Sequence, residues 1–397
     1  MLLKINKSAL AETISSIGVH PASIPIFSRK AEILPFKLFE VRTPAANIIK
    51  QEMLAAGGDA VTPIGSVVCA TKYVDILLLG TVKHYNTLLK KLKQMPFFGI
   101  SKIVDDLSLA LSSLELETVL ADGRKLTYEK IRLMGILNIT PDSFYNASRV
   151  TKLSQIMQKA EDMLSEGADV LDMGGESTRP GSDSVDGEEE RRRILPAINA
   201  VRKAYPTAIL SVDTYRADTA AAALDLGADI INDISAMETD ENMLNVVMKY
   251  KAPIILMHKR GIPSNMQQNC NYKNVVEEVA IYLYNRAQLL RKSGIGINKI
   301  ILDPGIGFAK NVEQNLRLMR DLEVFTSFRY PVLLAASRKS TIGTVLGNIP
   351  AEERLEGTIA TSLQAVYSGI QMVRVHDVKA NLRAIRMLEA VLCQEKF

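Results

Sequence analysis

From residue 133 onward the chain repeats one pattern: a short apolar run rich in Val, Ile and Leu ends in a polar or charged residue, and a stretch with helical periodicity follows. Eight such runs are present, and they end at Asn138, Glu176, Asp213, Asp233, His258, Asp303, Lys339 and His376. Runs of this kind are typical of strands buried on both faces of a parallel sheet. Eight of them alternating with helices predict a (β/α)8 barrel, an α/β fold in which the carboxyl ends of the strands form the active-site face. We therefore expect the polar residues to meet at one site.

The limits of the barrel strands follow from the apolar runs. Several of the intervening helices end at a glycine just before the next strand, as at Gly167, Gly227 and Gly294, which is a C-cap signal. A doubly wound open sheet shares this alternation and is the main alternative fold. The number of units favours the barrel, and the GIG of residues 305–307 does not complete a GxGxxG fingerprint. The predicted strands span residues 133–139, 168–174, 208–213, 228–233, 253–258, 299–303, 331–336 and 370–375.

The chain is longer than one barrel requires. Its 397 residues exceed the roughly 250 that are typical of this fold. Because the polar stretch ADGRKLTYEK precedes the first barrel strand, we predict a small α/β domain over residues 1–128 and the barrel over residues 129–397. No catalytic pattern is recognisable in the first domain, whose role stays open. Its predicted helices span residues 44–56, 84–94 and 103–113, and its predicted strands span residues 36–42, 66–70 and 74–80.

Composition excludes several classes of protein. The net charge of +4 comes from 48 basic and 44 acidic residues, a balance that does not favour nucleic-acid binding. Three cysteines without a CxxC pair indicate neither a disulfide framework nor a zinc site. The apolar run VDILLLGTV at residues 74–82 is far shorter than the roughly 20 residues of a membrane-spanning helix. These features predict a soluble cytoplasmic protein.

Three strand ends carry acceptors suited to a planar heterocycle. Asp213, Asn232 and Asp303 lie at or next to the ends of their runs. A carboxylate accepts two parallel hydrogen bonds in one plane, so this set suits a ring with adjacent N–H donors and a carbonyl group. Each residue alone could instead cap the helix that follows it. Three of them on one rim of a barrel favour a binding site.

A second set is cationic. It contains Arg179, Lys339, Arg374 and His376. Arg374 and His376 are two residues apart on the last strand, so both are expected to face one anion. The loops after the seventh and eighth barrel strands commonly bind phosphate, which predicts a phosphorylated substrate. A buried ion pair between Arg374 and a neighbouring carboxylate such as Asp377 is the alternative. The EEERRR run at residues 188–193 is interpreted as a solvated helix face.

These residues lie in motifs that together resemble dihydropteroate synthase. The motifs follow the family's order and cover the whole predicted barrel. Among pterin-binding barrels, SRKS together with RVHDV is characteristic of the synthases. The motifs are GILNITPDSF at 135–144, GGESTRPG at 174–181, SVDTY at 211–215, INDIS at 231–235, MH at 257–258 followed by Gly261, Pro263, Met266 and Gln267, DPGIGFAK at 303–310, SRKS at 337–340 and RVHDV at 374–378.

The resemblance implies a reaction in which p-aminobenzoate displaces pyrophosphate from 6-hydroxymethyl-7,8-dihydropterin diphosphate to give 7,8-dihydropteroate. It also implies a homodimer and an SN1-like displacement with Asp213, Lys339, Arg374 and His376 as catalytic residues. By similarity the pterin contacts are Asp213, Asn232, Met257, Asp303 and Lys339. The diphosphate contacts are Asn138, Thr178, Arg179, Arg374 and His376, with Asn138 holding Mg²⁺. The p-aminobenzoate contacts are Phe144, Thr178, Pro180, Phe308, Ser337, Lys339 and Ser340.

The sequence departs from the family pattern after TPDSF. The family usually continues with a polar residue and Asp-Gly-Gly, whereas this chain has Tyr145, Asn146, Ala147 and Ser148. In the family this loop closes over the second substrate, so loop closure and the choice of acceptor are open. Thr341 also follows SRKS where a larger apolar residue is common.

Two other functions remain as alternatives. A methyltransferase that moves a methyl group from methyltetrahydrofolate to a corrinoid protein uses a related barrel, but it needs no diphosphate site such as the one that Lys339, Arg374 and His376 predict. A catalytically silent pterin-binding module would explain the altered loop, but Asn138 and Arg179 argue against it.

Overall fold

The computed structural model describes residues 2–3, 5, 9–113, 115–139, 149–176, 185–261 and 270–393. The chain forms two compact units, Met1–Leu114 and Glu115–Phe397. None of the helices in these described ranges is long and apolar enough to cross a membrane.

The first unit contains a three-stranded antiparallel sheet with β3 in its centre, in the order β1-β3-β2. Burial alternates along β3, as expected for a strand with one face on a core. The hydroxyl of Tyr85, which is fully buried, donates to the carbonyl oxygens of Leu34 (2.6 Å) and Leu78 (3.1 Å). The strands are β1 (Leu34–Arg42), β2 (Asp59–Val61) and β3 (Tyr73–Gly80), and the helices are α1 (Leu10–Ser16), α2 (Ile24–Ser28), α3 (Thr43–Ala55), α4 (Val82–Leu92) and α5 (Ile100–Ala110).

The sequence predicted three helices and two strands of this unit, but the strand predicted at residues 66–70 was wrong. That segment forms turns, in which the amide of Ser66 donates to the carbonyl of Pro63 and the amide of Ala70 donates to that of Gly65. Val67 and Val68 are exposed there. The third strand is instead β2, only three residues long. Helices α1 and α2 were not predicted.

The second unit begins with an antiparallel hairpin and continues with eight parallel strands. The parallel strands follow the order β11-β10-β9-β8-β7-β6-β13-β12, and a bridge between Leu302 and Val332 joins the two ends of this sheet. The result is a closed (β/α)8 barrel, which confirms the predicted fold. The hairpin strands are β4 (Glu117–Val119) and β5 (Lys125–Thr127), and the barrel strands are β6 (Arg132–Asn138), β7 (Val170–Gly174), β8 (Ile209–Asp213), β9 (Ile230–Asp233), β10 (Ile254–Met257), β11 (Ile300–Asp303), β12 (Leu333–Leu334) and β13 (Met372–Val375).

Helices alternate with the barrel strands, and local sequence sets their ends. Asp186 accepts hydrogen bonds from two amides at the start of α7, and Asn311 forms a reciprocal capping box with Gln314 at the start of α11. The predicted C-cap glycines Gly167 and Gly227 have positive φ angles of 99° and 97°. The helices are α6 (Arg149–Ser165), α7 (Gly187–Ala204), α8 (Ala217–Asp225), α9 (Met243–Tyr250), α10 (Val275–Lys292), α11 (Val312–Arg320), α12 (Glu323–Thr326), α13 (Ser340–Val345), α14 (Leu355–Tyr367) and α15 (Val378–Cys393).

The hairpin β4–β5 belongs to the barrel unit, which places the observed boundary at residue 114 rather than at the predicted residue 128. Leu120 and Leu126 are 1% and 4% exposed, and they share a hydrophobic cluster with residues at the amino ends of the barrel strands. The hairpin therefore covers the bottom of the barrel, opposite the face that carries the polar strand ends. The barrel residues of this cluster are Met134, Val170, Ile230, Ile255, Ile301, Leu333 and Met372.

Candidate active site

The residues of the predicted pterin set meet at the carboxyl ends of neighbouring strands. Asp213 and Asn232 are partners in the register of β8 and β9, and Met257 and Asp303 are partners in that of β10 and β11. Asn232, Met257 and Asp303 are 4%, 2% and 3% exposed. The parallel register brings these side chains to one rim because every strand ends at the same face of the barrel. A buried carboxylate and amide pocket results.

An arginine from the last strand extends into this pocket. Arg374 Nε donates to Asp172 Oδ2 (2.6 Å), and Arg374 Nη2 donates to Asp213 Oδ2 (2.8 Å). Asn232 Nδ2 also donates to Asp172 Oδ2 (3.0 Å). Arg374 is thus in buried ion pairs, as the alternative interpretation of this residue held, but its partners are these two carboxylates. Asp377 pairs with Arg338 instead (2.6 and 2.9 Å).

Sequence reasoning missed Asp172. It lies inside the apolar strand β7, is fully buried, and its Oδ1 has no hydrogen-bond partner among the described residues. Charged groups are rarely buried without a partner, so an aspartate in the middle of a strand covered on both faces was itself a signal. One oxygen of Asp172, Oδ2, accepts from both Arg374 and Asn232 and so connects the cationic set to the pterin set.

Burial changes the proton affinities of the rim. It raises the pKa of Asp213 to about 7, against the opposing charge of Arg374. Burial also raises the pKa of Asp303, and it lowers the pKa of Lys339 to about 8 although Asp303 opposes this. Burial alone would also lower the pKa of Arg374. The charges of Asp172 and Asp213 outweigh burial, so the pKa of Arg374 is raised. Burial thus moves the pKa values of Asp213 and Lys339 toward neutrality in one pocket, as is common at functional sites.

Lys339 joins the pocket to the loop after β11. Its ammonium donates to the carbonyl of Ile306 and lies 4.7 Å from the centre of the Phe308 ring. Gly307 precedes Phe308 with a φ of +84°, and a Cβ on it would lie 3.1 Å from Lys339 Cδ. The glycine therefore lets the lysine stem lie against the loop. Ser340 is exposed at the first position of α13, next to Lys339.

The predicted anion contacts Asn138 and His376 lie beside one cavity of about 360 Å³, which is also lined by Arg338 and Asp377. His376 Nδ1 is 2.9 Å from Ser337 Oγ, and its backbone amide donates to the same oxygen (3.2 Å). Ser337 is 6% exposed. In this arrangement Ser337 holds His376 in place.

Several predicted contacts lie outside the described residues. They are Phe144, Thr178, Arg179 and Pro180, together with the altered segment Tyr145–Ser148. The EEERRR run is described, and its Glu189 pairs with Arg192 and Arg193 as expected for a solvated face. Glu190 departs from that prediction, because it is 1% exposed and pairs with Arg216 (3.1 Å).

Within the described ranges, no cluster of three or more His, Cys, Asp or Glu side chains could hold a metal ion. Asn138 offers a neutral carboxamide oxygen at the end of β6. Mg²⁺ commonly takes one or two protein oxygens and completes its shell with substrate phosphates and water. Among the residues described, this donor set fits a metal ion that arrives with a diphosphate better than one held by the protein alone.

Comparison with known proteins identifies the family. Residues 134–376 match the family described as pterin binding enzyme. The dihydropteroate synthases of Bacillus subtilis and Clostridium beijerinckii are 43% and 42% identical to this chain, over 66% of it and over 90% and 95% of their own lengths. The chain belongs to the dihydropteroate synthase family.

Solved structures of this family have the same barrel. A dihydropteroate synthase from Clostridium difficile, crystallised in the presence of pteroic acid, has a TM-score of 0.63 and 41% identity over 66% of this chain and 97% of its own. The Xanthomonas albilineans dihydropteroate synthase with 4-aminobenzoic acid has a TM-score of 0.65 and 36% identity, over 70% of this chain and 98% of its own. A Burkholderia cenocepacia dihydropteroate synthase complexed with 7,8-dihydropteroate has a TM-score of 0.63 and 36% identity, over 71% and 99%. The match to these synthases agrees with the cationic rim.

Proposed function

We propose that this chain condenses 6-hydroxymethyl-7,8-dihydropterin diphosphate with p-aminobenzoate and releases 7,8-dihydropteroate and pyrophosphate. The observation that carries this proposal is the buried rim of Asp213, Asn232 and Asp303, in a barrel that matches dihydropteroate synthases over nearly their whole length. Relatives crystallised with 4-aminobenzoic acid and with 7,8-dihydropteroate support the choice of substrates.

The pterin ring fits the rim in its pattern of donors and acceptors. Its 2-amino group and ring N–H are adjacent donors, which the carboxylates of Asp213 and Asp303 would accept in the plane of the ring. Asn232 and Lys339 supply donors for the ring carbonyl and ring nitrogens, and Met257 packs against a face. A site built to hydrogen-bond these groups rejects analogues that lack them, because its own buried polar groups would then be unpaired.

We infer that the carbon–oxygen bond breaks before the amine arrives. The electron pair of that bond leaves with the diphosphate, and the ring delocalises the positive charge left on the exocyclic methylene. Arg374 and His376 stabilise the departing negative charge, and the ionised carboxylate of Asp213 offsets the positive charge of the ring. The lone pair of the aniline nitrogen then forms the new bond, and the nitrogen loses its proton afterwards. No general base is required.

Positional isotope exchange tests this order of events. The substrate carries ¹⁸O at the bridging position between carbon and phosphorus, and p-aminobenzoate is left out. Reversible cleavage would move the label into nonbridging positions of the same phosphate group, which NMR detects. If the label stays in place while turnover with p-aminobenzoate is normal, the displacement is concerted.

We propose that Asn138 holds Mg²⁺ together with the diphosphate. When bound, the ion would neutralise charge on the leaving group. The neutral carboxamide suits this role because the substrate brings the negative charge. Asn138→Ala would raise the Mg²⁺ concentration needed for half-maximal rate, with little change in pterin affinity measured without diphosphate. An unchanged Mg²⁺ requirement would exclude this assignment.

The second substrate would lie between Phe308 and the stem of Lys339, with its carboxylate at Ser340. Phe308 is 8% exposed, and the Lys339 ammonium lies 4.7 Å from the centre of its ring. Ser337 contributes through its contact with His376, and the remaining predicted contacts are Phe144, Thr178 and Pro180. Ser340→Ala is expected to raise the KM for p-aminobenzoate while the KM for the pterin diphosphate stays unchanged. Equal changes in both KM values would count against this position for the carboxylate.

The direct test of the proposed function combines the purified protein with the pterin diphosphate, Mg²⁺ and p-aminobenzoate. Dihydropteroate and pyrophosphate are expected in equal amounts. Binding of pterin without either product would support the silent module, and methyl transfer from methyltetrahydrofolate would support the methyltransferase.

We also infer a homodimer formed through the last helices. Val345 on α13, Tyr367 on α14 and both Met387 and Val391 on α15 are large apolar residues that are 55–66% exposed. Met387 and Val391 are four residues apart and share one face of α15. Light scattering is expected to give twice the chain mass of 43.7 kDa for the unmodified protein. The double variant Met387→Glu, Val391→Glu is expected to give the mass of one chain. A single mass for the unmodified protein would contradict the dimer.

A cytoplasmic location is proposed as well. Neither Cys69 nor Cys270 forms a disulfide, as is usual in reducing compartments. Cell fractionation followed by immunoblotting tests it, and recovery of the protein with secreted material would exclude it.

A further inference from the structure

Lys310, at the end of the loop that follows β11, is a buried lysine that the proposed reaction does not use. It is 2% exposed. Its Nζ lies 2.9 Å from the carbonyl oxygens of Gly305 and Phe308 and from His258 Nδ1, and 3.4 Å from the carbonyl oxygen of His258. Its hydrogen-bond partners are thus backbone carbonyls and an imidazole, as in a small cage for a cation.

The neighbouring histidine is suited to accept. Burial lowers the pKa of His258 to about 2, so its ring is neutral and Nδ1 can accept when the proton is on Nε2. Three acceptors at 2.9 Å match the three N–H donors of an ammonium group. Burial lowers the pKa of Lys310 well below its ordinary value, and the charge of Asp303 opposes this most. The three acceptors also favour the protonated form, because each accepts one of its N–H groups. A buried amino group persists only where its donors are satisfied, as they are here.

The cage is connected to the pterin pocket through Gly305. The carbonyl of Gly305 accepts from Lys310, and its amide donates to Asp303 Oδ1 (2.7 Å). Gly305 has a φ of +70°, and a Cβ on it would lie 2.0 Å from the carbonyl oxygen of His258. The peptide can therefore take this close position only as glycine. Moving its carbonyl would also turn the Asp303 carboxylate.

The cage is connected to the p-aminobenzoate pocket through Phe308. The Phe308 carbonyl accepts from Lys310 while its ring lies beside Lys339. From the other side, Asn315 accepts from the amide of Gly307 (2.8 Å) and donates to the carbonyl of Lys310 (3.1 Å). The loop is held at both ends, and the Lys310 amino group is at its centre.

We propose that Lys310 is a positioning residue, whose amino group fixes the loop after β11 so that Asp303 and Phe308 stay in place in the pterin and p-aminobenzoate pockets. This inference rests on the proposed function for the identity of the two pockets. A lysine that only stabilised the fold would affect unfolding but not substrate affinity, and this difference makes the two roles separable.

Chemical rescue provides the test. Lys310→Ala leaves a space that n-propylammonium fills, since its atoms replace Cγ, Cδ, Cε and Nζ. We expect the KM values for both substrates to rise by up to roughly 100-fold, as when contacting groups are displaced by about 1 Å, with a smaller change in kcat. Added n-propylammonium should restore both KM values. Propan-1-ol, which has a single donor, and tetramethylammonium, which has none, should not.

Lys299→Ala is the matched control. Lys299 also donates to a backbone carbonyl, that of Leu120 (3.0 Å), but in the hairpin at the bottom of the barrel. Its removal is expected to leave both KM values unchanged. Lys310→Met, which keeps the side-chain volume without the donors, should reproduce the KM change of Lys310→Ala if that variant is too unstable to assay.

Three outcomes would overturn the proposal: unchanged KM values in the Lys310 variants, equal rescue by propan-1-ol or tetramethylammonium, or failure of both variants to fold even with n-propylammonium. Calorimetry measures the affinity for 6-hydroxymethylpterin without turnover. We expect this affinity to change across the Lys310 variants and the added compounds in the same way as the KM values. A wild-type protein that forms no dihydropteroate would refute the proposed function, while the calorimetric series would still decide the role of Lys310.

Discussion

Burial controls the proton affinity of Asp213 more strongly than its ion pair with Arg374 does, so the net effect raises its pKa to about 7. The ionised form is the one that accepts two N–H groups and offsets the charge of the ring. For an acid with a raised pKa, the ionised fraction falls below one half as the pH drops below that value. We therefore expect kcat/KM for the pterin diphosphate to decrease below about pH 7, since this ratio reports the free enzyme.

The variant Asp213→Asn keeps the shape of the side chain and removes its charge. We expect its turnover to be lower by roughly 100- to 1000-fold, the range for loss of one preorganised electrostatic group. Its pH profile should lose the decrease near pH 7. Steady-state rates from pH 5 to pH 9 measure both effects. Near-normal turnover with equal pterin binding would show that the charge of Asp213 is not catalytic.

Asp172 is expected to matter for stability, because it holds both Arg374 and Asn232 in a buried network. Breaking a buried ion pair from one side costs roughly 3–5 kcal/mol. Asp172→Asn should lower the free energy of unfolding by an amount in this range, measured by urea titration. Asp321→Asn is the matched control, since Asp321 makes a two-point pair with Arg320 (2.7 and 2.8 Å) at the surface and should change little. Equal effects in the two variants would contradict the buried network.

Residues of the site were predictable where position along the chain reveals position in the barrel. Asp213, Asn232 and Asp303 could be found because each lies at or next to the end of an apolar strand, and strand ends share one rim. Asp172 could not be found in the same way, since it lies within its strand. The ion pairs of Arg374 depend on which side chains face each other across the barrel. The sequence does not reveal the distances between side chains on different strands.

At the level of elements, the alternation of apolar runs and helices located all eight barrel strands, with small differences at their ends. The largest difference is β12, which has two residues where six were predicted. Its neighbours Ala335 and Ala336 are buried but leave the ladder toward Arg338, whose φ is +56°. An apolar run indicates that its residues are buried. It does not show how many of them pair with a neighbouring strand, because pairing also depends on the turn that follows.

The hairpin β4–β5 is an element that the sequence placed in the wrong unit. Its strands are only three residues long, too short to show a periodic pattern. Leu126→Ala is expected to destabilise the barrel by roughly 2–5 kcal/mol, as for other buried leucines. Lys125→Ala is the control, because its side chain is 57% exposed. Urea unfolding of the barrel unit measures both variants, and a negligible effect of Leu126→Ala would mean that the hairpin is not part of the barrel core.

For the whole molecule, the family match spans residues 134–376, which lie in the barrel unit, so we expect catalysis not to need the first unit. The chain covers 90–95% of the two bacterial synthases compared above with only 66% of its own length. We expect a fragment of residues 115–397 to retain the kcat of the full chain. A fragment of residues 129–397, which lacks the hairpin, should unfold at lower urea concentration. Loss of activity in the first fragment, with its fold intact by circular dichroism, would assign a catalytic role to the first unit.

We conclude that the rim of Asp213, Asn232 and Asp303 forms the pterin pocket of a dihydropteroate synthase. A crystal structure of the protein with 7,8-dihydropteroate would test this conclusion. We expect the pterin ring to donate to the carboxylates of Asp213 and Asp303, and the p-aminobenzoate part to lie between Phe308 and Lys339. A pterin ring bound away from this rim, with Arg374 still paired to Asp172 and Asp213, would contradict it.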